Sequence, residues 1–201
     1  MATTILLIRH ATNDWVDKRI AGWTPGVHLN ELGRQQAERL VERLRGIELH
    51  AIYASPLDRT RETAAPLASA RRLEVELREE FGEIRYGAWT GLDVQQLREL
   101  PEWKQFLRFR SGTRVPDGEL MLELQARMVA GIERLCAQHQ EQTVAIVSHG
   151  DPIRTAIAHY LGLAIDLYPR LEISPASVSL LRISKDGPRL ARLNDTGDIS
   201  A

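Results

Sequence analysis

The chain has 201 residues, 43% of them hydrophobic and 26% charged, with a formal net charge of −1. That length buries a core without disulfide or metal staples, and the composition excludes intrinsic disorder, collagen and small disulfide scaffolds. A near-neutral balance provides no bulk electrostatic pull toward nucleic acid or an anionic membrane, so neither is expected as a partner.

The single cysteine, Cys136, cannot close an internal disulfide or build a cysteine-based zinc site. It points to a reducing, cytoplasmic setting. The N-terminus lacks a basic leader and a long apolar core, so no secretory signal is expected. No apolar stretch approaches the roughly 20 residues that span a bilayer.

Thr3–Ile8 is short, apolar and β-branched, as a fully buried strand requires. After the Gly/Pro-rich loop Ala21–His28, Asn30 caps a helix from Glu31 to about Arg45, with Ala37, Leu40, Val41 and Leu44 on its apolar face. Ala51–Ala54 is a second strand. Ser55-Pro56 then reads as a cap followed by a first-turn proline, opening a helix that Pro66 is expected to kink or end. Leu73–Leu77 alternates as a third strand, and Phe81–Gly91 has no periodicity and reads as a loop.

Helical patterns follow at Val94–Leu100, Glu102–Phe109 and about Glu119–His139, the last carrying Leu120, Leu124, Met128, Ile132 and Leu135. Thr143–Ser148 is the clearest buried strand. Asp151-Pro152 opens another helix by the same cap-plus-proline logic, ending near Leu161. Ser177–Ser184 and Arg189–Leu193 are strand candidates around a Lys185-Asp186-Gly187 turn. Strands alternating with helices predict a three-layer α/β sandwich with a mostly parallel sheet. We expect one domain over residues 1–201, with 92–118 as a helical lid or subdomain and Glu102–Val115 over the pocket.

In open α/β sheets, ligands bind at the carboxyl ends of the strands. There the first strand delivers Arg9-His10, the second leads to Arg59, and Thr143–Ser148 delivers His149 just before a helix. Burying such groups without partners is costly. Arginine forks and a helix N-terminus favour a multiply charged oxyanion, for which phosphate is the natural candidate. A neutral imidazole beside it can attack phosphorus to give a phosphohistidine, and the leaving oxygen then needs a proton from Glu83 or a nearby acid. His28, His50, His139 and His159 lie in bland loop or helix-face contexts, and Arg61 and Glu62 read as a solvated face. Trp103, Phe106 and Phe109 read as subdomain core more than as pocket entrance.

These residues sit in motifs that resemble the histidine phosphatase superfamily, the phosphoglycerate mutase-like branch one, almost end to end. LLIRHATNDW is similar to that family's Arg-His-Gly segment, Leu29–Leu40 to the helix after it, and Ser55–Ala64 to the segment with the second phosphate-binding arginine. Glu83–Gly91 resembles the acid-bearing loop, Val115–Met128 a Pro-Gly-Gly-Glu-like helix start, and Val147–Arg154 the second histidine motif. The resemblance implies His10 as nucleophile, a phosphate pocket of Arg9, Arg59 and His149, Glu83 over its rival Glu80 as general acid, and no metal or organic cofactor.

This chain departs from the family pattern at Ala11, Thr12 and Val16. Ala11 replaces a glycine and is expected to be tolerated; Val16 removes an asparagine contact to phosphate, for which Asn13 is the candidate substitute. The expected activity is hydrolysis of a small phosphorylated metabolite through a phosphohistidine. The alternatives are a phosphoglycerate mutase-type transfer, or a non-catalytic binder of phosphorylated ligands. The oligomeric state stays open, a homodimer included.

Overall fold

The computed structural model describes residues 2–197. One six-stranded sheet organises them, built from β1 (Ala2–Arg9), β2 (Ala51–Ala54), β3 (Val75–Leu77), β4 (Thr143–Ser148), β5 (Val178–Ser184) and β6 (Gly187–Asp195). The strand order is β3-β2-β4-β1-β5-β6. The first four strands run parallel, β4 lying between β2 and β1, whereas β5 pairs antiparallel with β1 and β6 with β5. The sheet is thus mostly parallel with an antiparallel hairpin on one edge.

The two-residue alternation of a strand sorts the core into two layers. Leu6, Ile8, Ile52, Ala54, Ala145 and Val147 pack with α1 (Glu31–Arg43) and α2 (Asp58–Arg71). Ile5, Leu7, Tyr53, Val144 and Ile146 pack on the opposite face with α5 (Met121–Gln138) and α6 (Gly150–Tyr160). Burial on both faces explains why β1 and β4 read as unbroken apolar runs. A third cluster joins Ile84, Trp89, Leu97, Phe106, Val115 and Met121, and so ties α3 (Val94–Glu99) and α4 (Pro101–Arg108) to the acid-bearing loop. Among the described residues, no helix is long and apolar enough to cross a membrane.

Asn30 caps α1 as expected, its Oδ1 accepting from Gly33 N at 2.9 Å. Gly33 is required there: a Cβ would lie 1.9 Å from the Thr12 carbonyl oxygen, so this helix approaches the loop after β1 as backbone against backbone.

Several boundaries differ from expectation. Helix α2 starts at Asp58 with Leu57 as its cap, because Ser55 is buried and serves another partner described below. It also runs through Pro66 to Arg71. The missing N–H costs about 3 kcal/mol, which buried Ala64, Leu67 and Ala68 on the core side offset. Likewise His149, not Asp151, is the cap of α6, leaving Asp151 in its first turn. Leu120 precedes α5 in extended conformation, and Met121 takes the buried position expected of it. Two single-turn 3-10 helices, Glu79–Phe81 and Gly87–Trp89, give the acid-bearing loop its shape.

Candidate active site

Register places the site. Arg9 at the end of β1 is paired with Ser148 at the end of β4, so the next residues, His10 and His149, emerge side by side. Their rings are edge to face, with centroids 5.2 Å apart. His10 N donates to Ser148 O at 2.8 Å, and Ser148 Oγ donates to Phe81 O at 2.7 Å, fastening the acid-bearing loop to the same strand end. On the other side, Ala11 N donates to Thr63 Oγ1, which donates to Arg59 O at 2.6 Å. That link sets α2, and with it Arg59, against the His10 loop.

A cavity of about 350 Å³ opens over these strand ends, lined by Arg9, His10, Asn13, Arg59 and Glu83 and extending to Tyr86, Asp151 and Arg154. His149 lies directly behind, fully buried, its Nδ1 3.9 Å from Glu83 Oε2. The structure therefore brings together every residue singled out from sequence. Asn13 is buried, its Oδ1 accepting from Trp15 N at 2.9 Å.

Hydrogen bonding gives each group a direction. His10 Nδ1 lies 2.8 Å from Ala11 O; a carbonyl only accepts, so the proton is on Nδ1 and the Nε2 lone pair is free. Arg9 NH1 donates to Ile173 O at 2.7 Å and Arg59 NH2 to Gly22 O at 2.8 Å, which fixes both forks. Arg9 Nε, Arg59 Nε and NH1, and His149 Nδ1 are buried without a protein partner among the described residues. Orphaned donors of this kind are uncommon in folded proteins. Here Arg9 and Arg59 line the cavity and His149 lies behind it.

The electrostatics divide the two imidazoles from the carboxyl. Burial, then the positive charges of Arg59 and Arg9, push His10 well below its usual 6.5, and burial with Arg59 does the same for His149. Both rings are thereby held neutral. Burial and then the negative charge of Asp151 push Glu83 up to about 7, with Arg59 acting in the opposite direction. An uncharged His10 imidazole and a Glu83 carboxyl that keeps its proton up to about pH 7 therefore coexist at the strand ends. Glu80, the rival acid, instead pairs with Arg134 at 2.8 Å on the far side of the loop.

Sequence reasoning missed several participants. Ser55 Oγ lies 2.8 Å from His149 Nε2. Tyr86 donates to Asp151 Oδ2 at 2.6 Å, while Arg154 NH1 reaches Asp151 Oδ1 at 3.1 Å, forming a chain of polar groups on the outer wall. Glu62, expected on a solvated face, accepts from Leu29 N at 2.8 Å and contacts His28, holding the 21–29 loop that carries Gly22. Phe106 is buried and Phe109 exposed, whereas Trp103 both packs edge to face against Trp89 and lines the cavity. Ala11 is buried in the core beneath α2, so its methyl group is accommodated.

Among the described residues, no group of three or more His, Cys, Asp and Glu is arranged to hold a metal ion. Residues 5–196 match the family model of the histidine phosphatase superfamily (branch 1). The chain is 30% identical to phosphoserine phosphatase 1 of Hydrogenobacter thermophilus over 197 residues, covering 96% of this chain and 92% of that one. It is 32% identical to phosphoglycerate mutase-like protein 4 of Arabidopsis thaliana over 157 residues, 75% of this chain and 68% of that one. Among solved structures, a phosphoserine phosphatase mutant of Entamoeba histolytica in complex with phosphoserine superposes with a TM-score of 0.88 at 28% identity, over 98% of this chain and all of that one. Two neighbouring strand-end histidines, a buried Arg59 beside a half-buried Arg9 and this match across nearly the whole chain agree: the chain belongs to branch 1 of the histidine phosphatase superfamily.

Proposed function

We propose that the protein is a metal-independent phosphomonoester hydrolase that works through a phosphohistidine on His10. One observation carries the reading: the free Nε2 of a neutral, buried His10 lies in a cavity lined by Arg9 and Arg59 and backed by His149, and four buried nitrogens of these three side chains have no protein partner among the described residues. Those donors take the phosphoryl oxygens and stabilise the charge of the transition state. With the Ser55 hydroxyl donating to His149 Nε2, the His149 proton sits on Nδ1 and faces the ligand. The amide nitrogen of Asn13 is a further donor, since its oxygen is held by Trp15 N.

The reaction then balances in two steps. His10 Nε2 attacks phosphorus and the bond to the ester oxygen breaks, Glu83 giving its proton to the departing alkoxide. Carboxylate Glu83 next takes a proton from water, which attacks the phosphohistidine; the P–N bond breaks, inorganic phosphate leaves, and His10 is neutral again. The positive charge comes from Arg9 and Arg59, so no metal is needed to bind the phosphoryl group.

A cavity of about 350 Å³ suits a small phosphorylated metabolite, and the phosphoserine held by the amoebic relative supports a substrate of that size. We read 92–118 as the lid of a single domain, Trp103 on α4 and Val94 on α3 reaching the cavity rim. The lone Cys136 supports the cytoplasm as the working compartment. The test is phosphate release from aryl phosphate, phosphoglycerates, sugar phosphates and nucleotides in excess chelator, with His10→Ala alongside. Release that persists in chelator and falls at least about 1,000-fold in the variant is expected. Release that chelator abolishes, or that His10→Ala retains, overturns the mechanism.

A further inference from the structure

The Pro116-Asp117-Gly118-Glu119 segment does not line the cavity, yet it meets the acid-bearing loop both directly and through one arginine. Arg127, on the second turn of α5, is mostly buried and makes a two-pronged pair with Glu119, Nε to Oε1 at 2.8 Å and NH2 to Oε2 at 3.0 Å. The same guanidinium donates to three carbonyls within four residues of the loop: NH1 to Glu80 O at 2.8 Å and to Gly82 O at 2.9 Å, NH2 to Glu83 O at 2.7 Å. Glu119 Oε2 closes the circuit from the other side by accepting from Arg85 N at 2.8 Å, and Glu119 N donates to Arg85 O.

We infer that Arg127, aligned by Glu119, is a positioning residue that fixes the backbone on both sides of Glu83 and so sets where the acid's proton is delivered. The inference rests on the proposed role of Glu83 as the acid. The loop has no regular secondary structure of its own beyond two single turns. Its carbonyls at 80, 82 and 83 therefore depend on a donor from another element. The planar fork of arginine supplies several in fixed directions, which a lysine cannot. Trp23 Nε1 adds one more bond to Glu83 O, at 2.6 Å. Arg127 does not line the cavity, and its hydrogen bonds reach the reaction through the backbone around Glu83; its charge also helps to hold His149 neutral, an effect that Arg127→Lys keeps and that does not distinguish the two esters.

The experiment compares Arg127→Met, Arg127→Lys, Glu119→Gln and Glu83→Gln on two substrates, an alkyl phosphate and p-nitrophenyl phosphate, reading the pre-steady-state burst of the alcohol or phenol. Displacing the acid by about 1 Å costs the alkyl ester about 100-fold in burst rate. The aryl ester, whose leaving group needs no proton, loses less than about threefold. KM is little changed, because the phosphate-binding groups stay in place. Glu119→Gln falls between wild type and Arg127→Met, as does Arg127→Lys, and circular dichroism melts report folding. If Arg127→Met does not fold, Glu119→Gln gives the reading by the same ratio. Equal losses on both esters, or none, with Glu83→Gln selective for the alkyl ester, overturn the clamp alone. A Glu83→Gln variant without that selectivity overturns the role of Glu83, and the clamp with it.

Discussion

Replacing Glu83 by glutamine separates what this carboxyl does for the reaction from what it costs the fold. Its proton is bound more tightly in the folded chain, about 7, than at the ordinary 4.5. Such a group contributes fully below 4.5, and its contribution is lost as pH rises through about 7. The difference of about 2.5 pH units at about 1.36 kcal/mol each amounts to about 3 kcal/mol of stability lost by pH 8.5. Glutamine keeps the shape, and its oxygen still accepts from Ile84 N as Glu83 Oε1 does at 3.0 Å, but it never ionises. At about 2–4 °C per kcal/mol for a chain of this size, Glu83→Gln is expected to melt about 6–12 °C above wild type at pH 8.5 and only about 2–3 °C above it at pH 5, where about 0.8 kcal/mol of the difference has developed. The buried neutral histidines lower stability on the acid side in both proteins, so they cancel in the comparison. Calorimetric or dichroism melts across pH 5–8.5 measure it. A gap that stays constant with pH, or a variant less stable than wild type at pH 8.5, refutes the assignment of a raised carboxyl at Glu83.

Other outcomes follow from the same geometry. Wild-type turnover of alkyl phosphates falls as pH rises through about 7, as Glu83 ionises, and a flat alkaline profile contradicts this. Arg59→Met removes two unpartnered donors and the bond to Gly22 O; kcat/KM drops about 100–1,000-fold, and a loss below tenfold rejects Arg59 as a phosphoryl ligand. Ser55→Ala leaves His149 Nε2 without its hydroxyl partner, freeing the ring to change tautomer; a loss of about tenfold in kcat with an intact melt is expected, and unchanged kinetics dismiss that tautomer argument.

How much of this was legible in the chain follows from where each residue sits. Arg9, His10 and His149 stood out because an apolar strand ends abruptly in charge, a contrast between neighbours in sequence. Glu83 lies in a loop without period; only its spacing to Gly87, through the family resemblance, picked it over Glu80. Ser55 misled, since Ser-Pro signals a helix cap, and nothing local reveals that its hydroxyl turns to a histidine far along the chain. Arg127 was invisible for a related reason. Helical periodicity says which side of α5 is apolar, but the loop carbonyls that an off-core arginine meets are decided by tertiary packing. Pro66 shows the opposite error, a local breaker overruled by burial of its neighbours.

The position of β4 between β1 and β2 also governs when the molecule can first act. A ribosome that has released everything before Thr143 has already delivered His10, Arg59 and Glu83. Yet β1 and β2 share no edge, and each finds its neighbour only when β4 slots between them. The emerging polypeptide therefore carries most of the chemistry as disconnected parts. A translation product that stops before Thr143 is expected to be silent rather than weakly active. By the same logic, a cut in the turn before β4 yields two fragments that are each inert, and recovered activity on mixing them would report their reassembly directly.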